Sequence, residues 1–113
     1  YAFELVNAHR LCFLKNMENF NINNYELFPF GLGDKNSKCA IANNKWAIQK
    51  FGYAAFNAQV LEDKNGKENL RTLDSLHLKN ISFIKIDVEG YELNLLKGGY
   101  ETIKNNRPVI FIV

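Results

Sequence analysis

The chain has 113 residues, of which 47% are hydrophobic and 23% are charged, and its formal net charge is +2. This apolar content suits one folded domain and excludes an intrinsically disordered chain, while so small and dispersed a positive charge excludes the basic surface of a nucleic-acid-binding protein. No apolar run approaches the ~20 residues of a membrane-spanning helix and no signal-peptide pattern is visible, so we expect a cytoplasmic protein.

Residues 1–5 are predicted to end a strand, with Glu4 at its tip. The segment that follows is predicted to be a helix, because its apolar residues recur at helical spacing: Leu11, Phe13, Leu14, Met17 and Phe20. An acid in this place either binds a ligand or is a solvated residue that the positive end of the helix favours. The residues alone leave both explanations open.

A polar break at residues 21–24 precedes a short predicted strand at residues 25–30, which Pro29 confines to a sheet edge or a strand end. Gly31 is predicted to lie in a turn, and Gly33 is predicted to give the backbone conformational freedom at a second position. Asp34 then follows as a ligand-contacting acid or as part of an ordinary turn, since glycine followed by aspartate is turn chemistry in any protein.

The middle of the chain gives mixed signals. Residues 39–42 and 58–61 are predicted to be short strands that flank an aromatic stretch, which forms either local core or a substrate-facing wall and contains Trp46, Phe51, Tyr53 and Phe56. Residues 62–68 are predicted to be a charged, solvated loop. Residues 70–76 are predicted to end in a short helical turn that Thr72 or Asp74 caps. Cys12 and Cys39 have no zinc-site spacing, and we expect two reduced, semi-buried thiols.

Residues 81–88 form the clearest strand pattern, a nearly unbroken β-branched and aromatic run that is typical of a parallel strand covered on both faces. Gly90 ends it, and Leu93, Leu96, Tyr100 and Ile103 then recur at helical spacing. Asp87 and Glu89 therefore follow the carboxyl end of a buried strand, which is where ligands bind in open α/β sheets. Lys85 is predicted to pair with a carboxylate on the same strand face.

The last helical segment is predicted to be interrupted at residues 98–99, where a glycine in the left-handed conformation would cap it. A second short helix should reach residue 106. Pro108 blocks further helix, and residues 109–113 are predicted to form a strand parallel to the one at 81–88.

Four ordered segments resemble the FkbM family of S-adenosylmethionine-dependent methyltransferases: Thr72-Leu-Asp-Ser-Leu76, Ile81-Ser-Phe-Ile-Lys-Ile-Asp-Val-Glu-Gly-Tyr-Glu92, Leu96-Lys-Gly-Gly99 and Arg107-Pro-Val-Ile110. Residues 1–4 and 30–34 resemble earlier blocks of the same family. The resemblance implies a Rossmann-like class I methyltransferase fold, an α/β three-layer sandwich. Residues 1–113 would be a single partial domain from the second to the fifth strand, without the first strand and the C-terminal strands, and by themselves inactive.

The resemblance also implies S-adenosyl-L-methionine as cofactor and O-methylation of a hydroxyl on a small molecule, sugar or lipid. It implies that Glu4 binds the ribose hydroxyls and that Gly33 and Asp34 lie at the adenine. The family commonly has proline after this acid, whereas this chain has Leu5, which leaves open what makes the loop rigid.

At the strand tip, we expect Asp87 to be the acid nearest the methyl donor and the acceptor, as a cofactor-binding and catalytic acid. Glu89, Gly90 and Glu92 would bind the acceptor or anchor the turn, with Glu89 also assisting the chemistry. We expect no metal, although Asp87, Glu89 and Glu92 offer the oxygen ligands that magnesium prefers.

Two other functions remain open from the sequence: a nucleotide-binding α/β domain of different chemistry, and a non-catalytic remnant that acts as an interaction module. His9 and His77 are not expected to be catalytic bases, because neither has a predicted acid beside it to orient the imidazole. The sequence predicts no oligomeric state.

Overall fold

The computed structural model describes residues 1–42 and 59–113 and confirms a mixed α/β protein. The chain divides into two compact units, Tyr1–Gly31 and Leu32–Val113. Trp46, Phe51, Tyr53 and Phe56 lie outside the described residues. That residues 1–113 form a single domain stays a prediction. None of the described helices combines the length and the apolar character that crossing a membrane requires.

The first unit has the predicted order of strand, helix and strand. Strand β1 (Ala2–Phe3) leads into helix α1 (Asn7–Asn19), and strand β2 (Leu27–Phe28) pairs with β1 in parallel. Phe3 lies opposite Phe28 in this ladder, and their rings stack with centroids 5.0 Å apart. Aromatic stacking therefore fixes the register of a sheet that has only two residues in each strand.

Helix α1 has no buried residue, although its apolar residues recur as predicted. Leu11 and Phe20 are mostly exposed, whereas Phe13 meets the edge of the Tyr25 ring with centroids 5.2 Å apart. The helix ends as asparagine chemistry predicts, because Asn21 takes a left-handed conformation with φ 54°.

The second unit contains a four-stranded sheet in the order β3–β6–β4–β5. Its strands are β3 (Gly31–Leu32), β4 (Ser37–Ala42), β5 (Gln59–Glu62) and β6 (Glu68–Arg71), and β4 is antiparallel to both β5 and β6. The predicted strands at 39–42 and 58–61 are confirmed with shifted bounds, and the loop before β6 contains the predicted turn. Gly31 lies in β3, so the turn predicted there is wrong.

The two cysteines are free, but neither is semi-buried as predicted. Cys39 lies in β4 opposite both Glu62 and Glu68 and is 0% exposed. Burial raises the pKa of the Cys39 thiol because the charged thiolate loses its solvation. Cys12 is exposed because the helix that carries it buries none of its residues.

The remainder of the second unit begins with a 3₁₀ turn and a second parallel pair of strands. Its elements are the 3₁₀ turn (Asp74–Leu76), β7 (Phe83–Ile86), α2 (Glu92–Gly98), α3 (Tyr100–Asn106) and β8 (Val109–Ile112). The predicted parallel pairing of the last strand is confirmed, with Phe83 opposite Val109 and Ile86 opposite Ile112. The predicted interruption between two short helices is also confirmed.

Strand β7 is not covered on both faces, so that prediction is wrong for the described residues. Ile86 is 1% exposed, but Phe83 is 58% exposed and shares its face with the exposed Val109 and Phe111 of β8. Within residues 1–42 and 59–113, β7 pairs with β8 alone, and the face that carries Phe83 is left uncovered. The apolar run at 81–88 is therefore buried on one face alone.

The glycines between α2 and α3 are required for space rather than for a left-handed cap. Gly99 has φ −111°, which any residue adopts, so the predicted cap conformation is wrong. A Cβ on Gly98 would overlap the carbonyl oxygen of Gly33, and a Cβ on Gly99 would lie 3.0 Å from Cδ2 of Leu73. The junction between the two helices packs directly on neighbouring backbone and on the buried Leu73 and Leu95.

Three polar side chains connect distant segments of this unit by binding backbone groups. The amide of Thr72 donates to Oδ1 of Asn36 at 2.9 Å. The amides of Glu101 and Thr102 donate to the Asp74 carboxylate at 3.1 and 2.7 Å. Asn106 accepts from the amide of Ile81 at 3.0 Å and donates to the carbonyl oxygen of Leu78.

Both candidate caps are thus used, but at different helical segments. Thr72 Oγ1 accepts from the amide of Ser75 at 3.2 Å and caps the local 3₁₀ turn, as predicted. Asp74 instead caps the first turn of α3, which lies 27 and 28 residues further along the chain. Because the first amides of a helix have no intrahelical partner, this carboxylate satisfies two of them.

We predict that Gly98→Ala lowers the free energy of unfolding by about 2–3 kcal/mol, because the new methyl group has no space beside the Gly33 carbonyl. Helix propensity alone predicts the opposite sign, since alanine favours a helix more than glycine does. Urea denaturation of the full-length protein measures the change. The exposed neighbour Lys97→Ala is the control and should stay within about 0.5 kcal/mol of wild type. A stabilised Gly98→Ala variant would contradict the close approach.

We also predict that Asp74→Ala lowers the free energy of unfolding by about 1–2 kcal/mol, the usual effect of removing a helix cap. Asp74→Asn should lose less, because its amide oxygen keeps one of the two acceptors. Glu101→Gln is the matched control, since it changes a side chain but keeps the backbone amide that Asp74 binds. Equal losses in Asp74→Ala and Glu101→Gln would show that charge in the first turn, not the cap, stabilises α3.

Candidate functional site

The turn that follows β7 has an unusual backbone. Glu89 and the adjacent Gly90 both have positive φ values, 49° and 92°. Glycine accepts this conformation freely, whereas for glutamate it costs about 1–2 kcal/mol. The amide of Tyr91 donates to the carbonyl oxygen of Val88 at 3.2 Å, and the amide of Gly90 donates to Oε1 of Glu92 at 2.9 Å. These two hydrogen bonds hold the strained turn in place.

The three carboxylates of this turn have different surroundings. Asp87 is exposed and accepts from Lys85 Nζ at 2.8 Å, which confirms the predicted pairing of Lys85. Glu89 is also exposed, and its side chain makes no hydrogen bond or ion pair with residues 1–42 or 59–113. Glu92 anchors the turn, one of its two expected roles, and the Gly90 amide holds its pKa below the usual range. Asp87 and Glu89 therefore remain accessible to a ligand.

The described part of the chain contains no group of three acidic, histidine or cysteine side chains that converge to hold a metal ion. In the structure, Asp87, Glu89 and Glu92 do not converge on one point. Their separation has a simple cause: the Lys85 amine lies against Asp87, whereas Glu92 is directed to the backbone of the turn.

Gly33 and Asp34 lie beside the same turn, so the structure brings these two predicted segments of the second unit together. The amide of Gly33 donates to the carbonyl oxygen of Arg71 at 2.9 Å, and a Cβ on Gly33 would lie 3.1 Å from Cε1 of Tyr91. Burial raises the pKa of Tyr91, and the negative charges of Asp34 and Glu62 raise it further. Glycine at position 33 therefore gives the Tyr91 ring the space to pack there.

Tyr91 is a residue that the sequence analysis did not single out. Its position directly after Gly90 was the available signal, because a side chain that leaves a tight turn is held in one direction. Lys35 is a second such residue: its Nζ lies 2.8 Å from Oε2 of Glu62, and this hydrogen bond raises the pKa of Lys35.

Glu4 lies in the first unit, at the end of β1. Its amide donates to the carbonyl oxygen of Phe28 at 3.2 Å, which continues the β1–β2 ladder. Its Oε1 accepts from the amide of Val6 at 2.7 Å, and its Oε2 lies 3.5 Å from Nδ1 of His9. The expectation that His9 has no acid beside it is therefore wrong, since the first turn of α1 brings the imidazole back to Glu4.

Arg10 is the third residue that the sequence analysis missed. Its Nη1 donates to the carbonyl oxygens of Glu4 and Leu5 at 2.9 and 2.7 Å, and its Nη2 donates to Oδ1 of Asn7 at 3.2 Å. A cation six residues after a strand-tip acid was the signal, because the first turn of a helix can direct its side chains back towards the preceding loop.

The arrangement supplies carboxylate oxygens at the ends of two strands, β1 and β7. Such oxygens accept hydrogen bonds from hydroxyl or amino groups and attract cations. In the first unit, Glu4 has one oxygen fixed by the Val6 amide and the other near His9, which suits it to accept hydrogen bonds from hydroxyl groups. In the second unit, Asp87 and Glu89 offer exposed negative charge, which suits a polar or positively charged group.

Known proteins give two findings. The methyltransferase FkbM domain model matches residues 1–113. The crystal structure of methyltransferase FkbM from Methylobacillus flagellatus KT has a similar fold, with a TM-score of 0.61 and 18% sequence identity over 97% of this chain and 24% of that one. The chain thus spans about a quarter of that structure. Among curated proteins, none matches the sequence. Because the family model matches all 113 residues given, this chain belongs to the methyltransferase FkbM domain family.

Proposed function

We propose that the chain is part of an S-adenosylmethionine-dependent methyltransferase that transfers a methyl group to a hydroxyl of a small molecule, sugar or lipid. The observation that carries the proposal is the strained acidic turn at residues 87–92, which lies within the segment that matches the family. We further propose that the chain supplies the second to fifth strands of a Rossmann-like three-layer sandwich and that the protein is cytoplasmic.

The residues present fit this cofactor. A ribose presents two neighbouring hydroxyl groups, and Glu4 has a carboxylate that the Val6 amide fixes through one oxygen. An adenine amino group needs an acceptor, and Asp34 is an exposed carboxylate that directly follows Gly33, where the Tyr91 ring packs. Accordingly we assign Glu4 to the ribose and Gly33 and Asp34 to the adenine. When bound, S-adenosylmethionine supplies a methyl group on a positively charged sulfur.

Asp87 and Glu89 are assigned to the chemistry. Asp87 accepts the proton of the acceptor hydroxyl, because its carboxylate is accessible and directly follows Ile86, the buried last residue of β7. Glu89 binds and orients the acceptor through its free oxygens. Gly90 allows the acceptor to approach the backbone closely, and Glu92 keeps the turn rigid through the Gly90 amide. The rigid turn fixes both carboxylates before the acceptor arrives, which lowers the entropy lost in the reaction.

We predict that Glu4→Ala in the full-length protein weakens S-adenosylmethionine binding by about 1–3 kcal/mol, the range for hydrogen bonds to a charged group. Isothermal titration calorimetry measures the affinity. Glu18→Ala is the matched control, because it removes an exposed acid of the same unit, one that pairs with Lys15 on the surface of α1. Unchanged affinity in Glu4→Ala would assign Glu4 to the structure of the loop instead.

We predict that Asp87→Asn lowers the rate of methyl transfer by about 10²–10⁴-fold, the usual contribution of a general base, and leaves the melting temperature nearly unchanged. The assay follows radiolabelled methyl groups from S-adenosylmethionine into a panel of hydroxylated sugars, lipids and small molecules. Lys85→Met is the matched control, because it removes the same ion pair from the other side. Equal rate losses in both variants would show that Asp87 contributes only through its ion pair.

The same measurements separate the alternatives. A full-length protein that binds adenosine but transfers no methyl group to any acceptor of the panel would be a nucleotide-binding domain of other chemistry. A protein that binds neither adenosine nor S-adenosylmethionine would be an interaction module.

A further inference from the structure

The Arg10 side chain of α1 binds two carbonyl oxygens of the loop between β1 and α1. Arg10 donates from a single nitrogen, Nη1, to the carbonyl oxygens of both Glu4 and Leu5, and its other nitrogen binds the Asn7 side chain. Its own amide donates to the carbonyl oxygen of Val6 at 3.1 Å. The guanidinium therefore connects the first turn of the helix to the carbonyl oxygens of Glu4 and Leu5, and the Arg10 amide binds the next one, of Val6.

The other contacts of this loop bind Glu4 itself. Helix α1 has no side-chain hydrogen bond at its N-cap, Val6, and no acid in its first turn. The Glu4 amide is fixed by the Phe28 carbonyl on the strand side. On the helix side, Arg10 sets the direction of the Glu4 carbonyl, whereas the Val6 amide and the His9 imidazole lie against the two oxygens of the Glu4 carboxylate. Removing the guanidinium frees the peptide groups on which the orientation of Glu4 depends.

Arginine suits this task because its donors form a planar fork that reaches several acceptors at once. A lysine at the same position carries the charge on one atom and matches fewer of the three oxygens. Hydrogen bonds from a charged donor are also stronger than those between neutral groups. The bonds to the two loop carbonyls are short, 2.9 and 2.7 Å, and partly buried, which reduces competition from water.

We infer that Arg10 is a positioning residue for ribose recognition: it fixes the backbone of Glu4 and Leu5 so that the Glu4 carboxylate is presented to two neighbouring hydroxyl groups in one orientation. The inference rests on the proposed function, in which Glu4 binds the ribose of the cofactor. It assigns the rigidity of this loop to a side chain of the following helix.

The test is a set of calorimetric titrations of the full-length protein with S-adenosylhomocysteine and with its 2′-deoxy analogue. The variants are Glu4→Gln, Arg10→Ala, Arg10→Lys and the double variant Glu4→Gln/Arg10→Ala. Lys15→Ala is the matched control, because it removes an exposed cation from the same helix. Thermal melting of every variant reports stability separately from affinity.

We expect Arg10→Ala to weaken S-adenosylhomocysteine binding about tenfold, equivalent to about 1.4 kcal/mol, and Arg10→Lys to weaken it less. Wild type should bind the 2′-deoxy analogue more weakly than S-adenosylhomocysteine, and Arg10→Ala should reduce that difference. The double variant should bind no more weakly than Glu4→Gln, because both substitutions act on the same contact. Lys15→Ala should match wild type.

Two results overturn the inference. If Arg10→Ala lowers the melting temperature but leaves the preference for the 2′-hydroxyl unchanged, Arg10 is only structural, and a weakened Glu4→Gln variant still supports the proposed function. If wild-type protein binds neither ligand, the proposed function fails and the inference fails with it.

Discussion

The close approach of Gly98 to the Gly33 carbonyl is the contact on which the second unit depends. It brings α2 against the segment that follows β3 with no side chain between them. The same approach carries Tyr91, which precedes α2, onto Gly33 and beside Asp34. Packing thus sets the relation between the two predicted ligand-binding segments of this unit. A bulkier residue at either glycine would separate the helix from the strand end, and the site with it.

The acidic turn after β7 combines strain with support. Glu89 is a glutamate in a conformation that glycine prefers, and such residues persist only where their surroundings determine the backbone. Here the support comes from the Glu92 carboxylate on one side and from β7, anchored by the buried Ile86, on the other. The exposed carboxylates of Asp87 and Glu89 consequently lie on a backbone that has little freedom to move. Rigid support for exposed charge is the property expected of a binding site.

Local sequence chemistry predicted most of the secondary structure. Apolar runs gave β7 and β8, helical spacing gave α1 and α2, and Gly98 and Gly99 gave the break between α2 and α3. The same patterns could not predict the exposure of Phe83, because the coverage of a sheet face depends on which elements pack on it in space. The prediction of a left-handed cap at Gly99 was wrong for a related reason. Glycine is required there because the Leu73 side chain leaves little space for a Cβ, and not because the backbone takes a left-handed conformation.

The candidate site was predicted to the same extent. Asp87 and Glu89 were found because strand tips are marked by apolar runs and glycines, both visible in one dimension. Arg10 and Tyr91 were missed because their importance comes from partners that the fold supplies: two carbonyl oxygens for the first and a glycine some 58 positions earlier in the chain for the second. A hydrogen bond between a side chain and the backbone leaves no pairwise signature in the sequence. Every residue has a backbone carbonyl, and every residue except proline has an amide hydrogen.

Binding of a side chain to backbone groups has an evolutionary consequence for Asn36, Asp74 and Asn106. Each side chain binds the peptide groups of a distant segment, so it recognises the path of the chain there and not the residues along it. Positions such as Thr72, Ile81 and Glu101 can therefore drift to other residues, proline excepted, without losing these bonds. Across divergent relatives, the three polar residues would be retained opposite partners that vary freely, and their covariation with those partners would be weak despite direct contact.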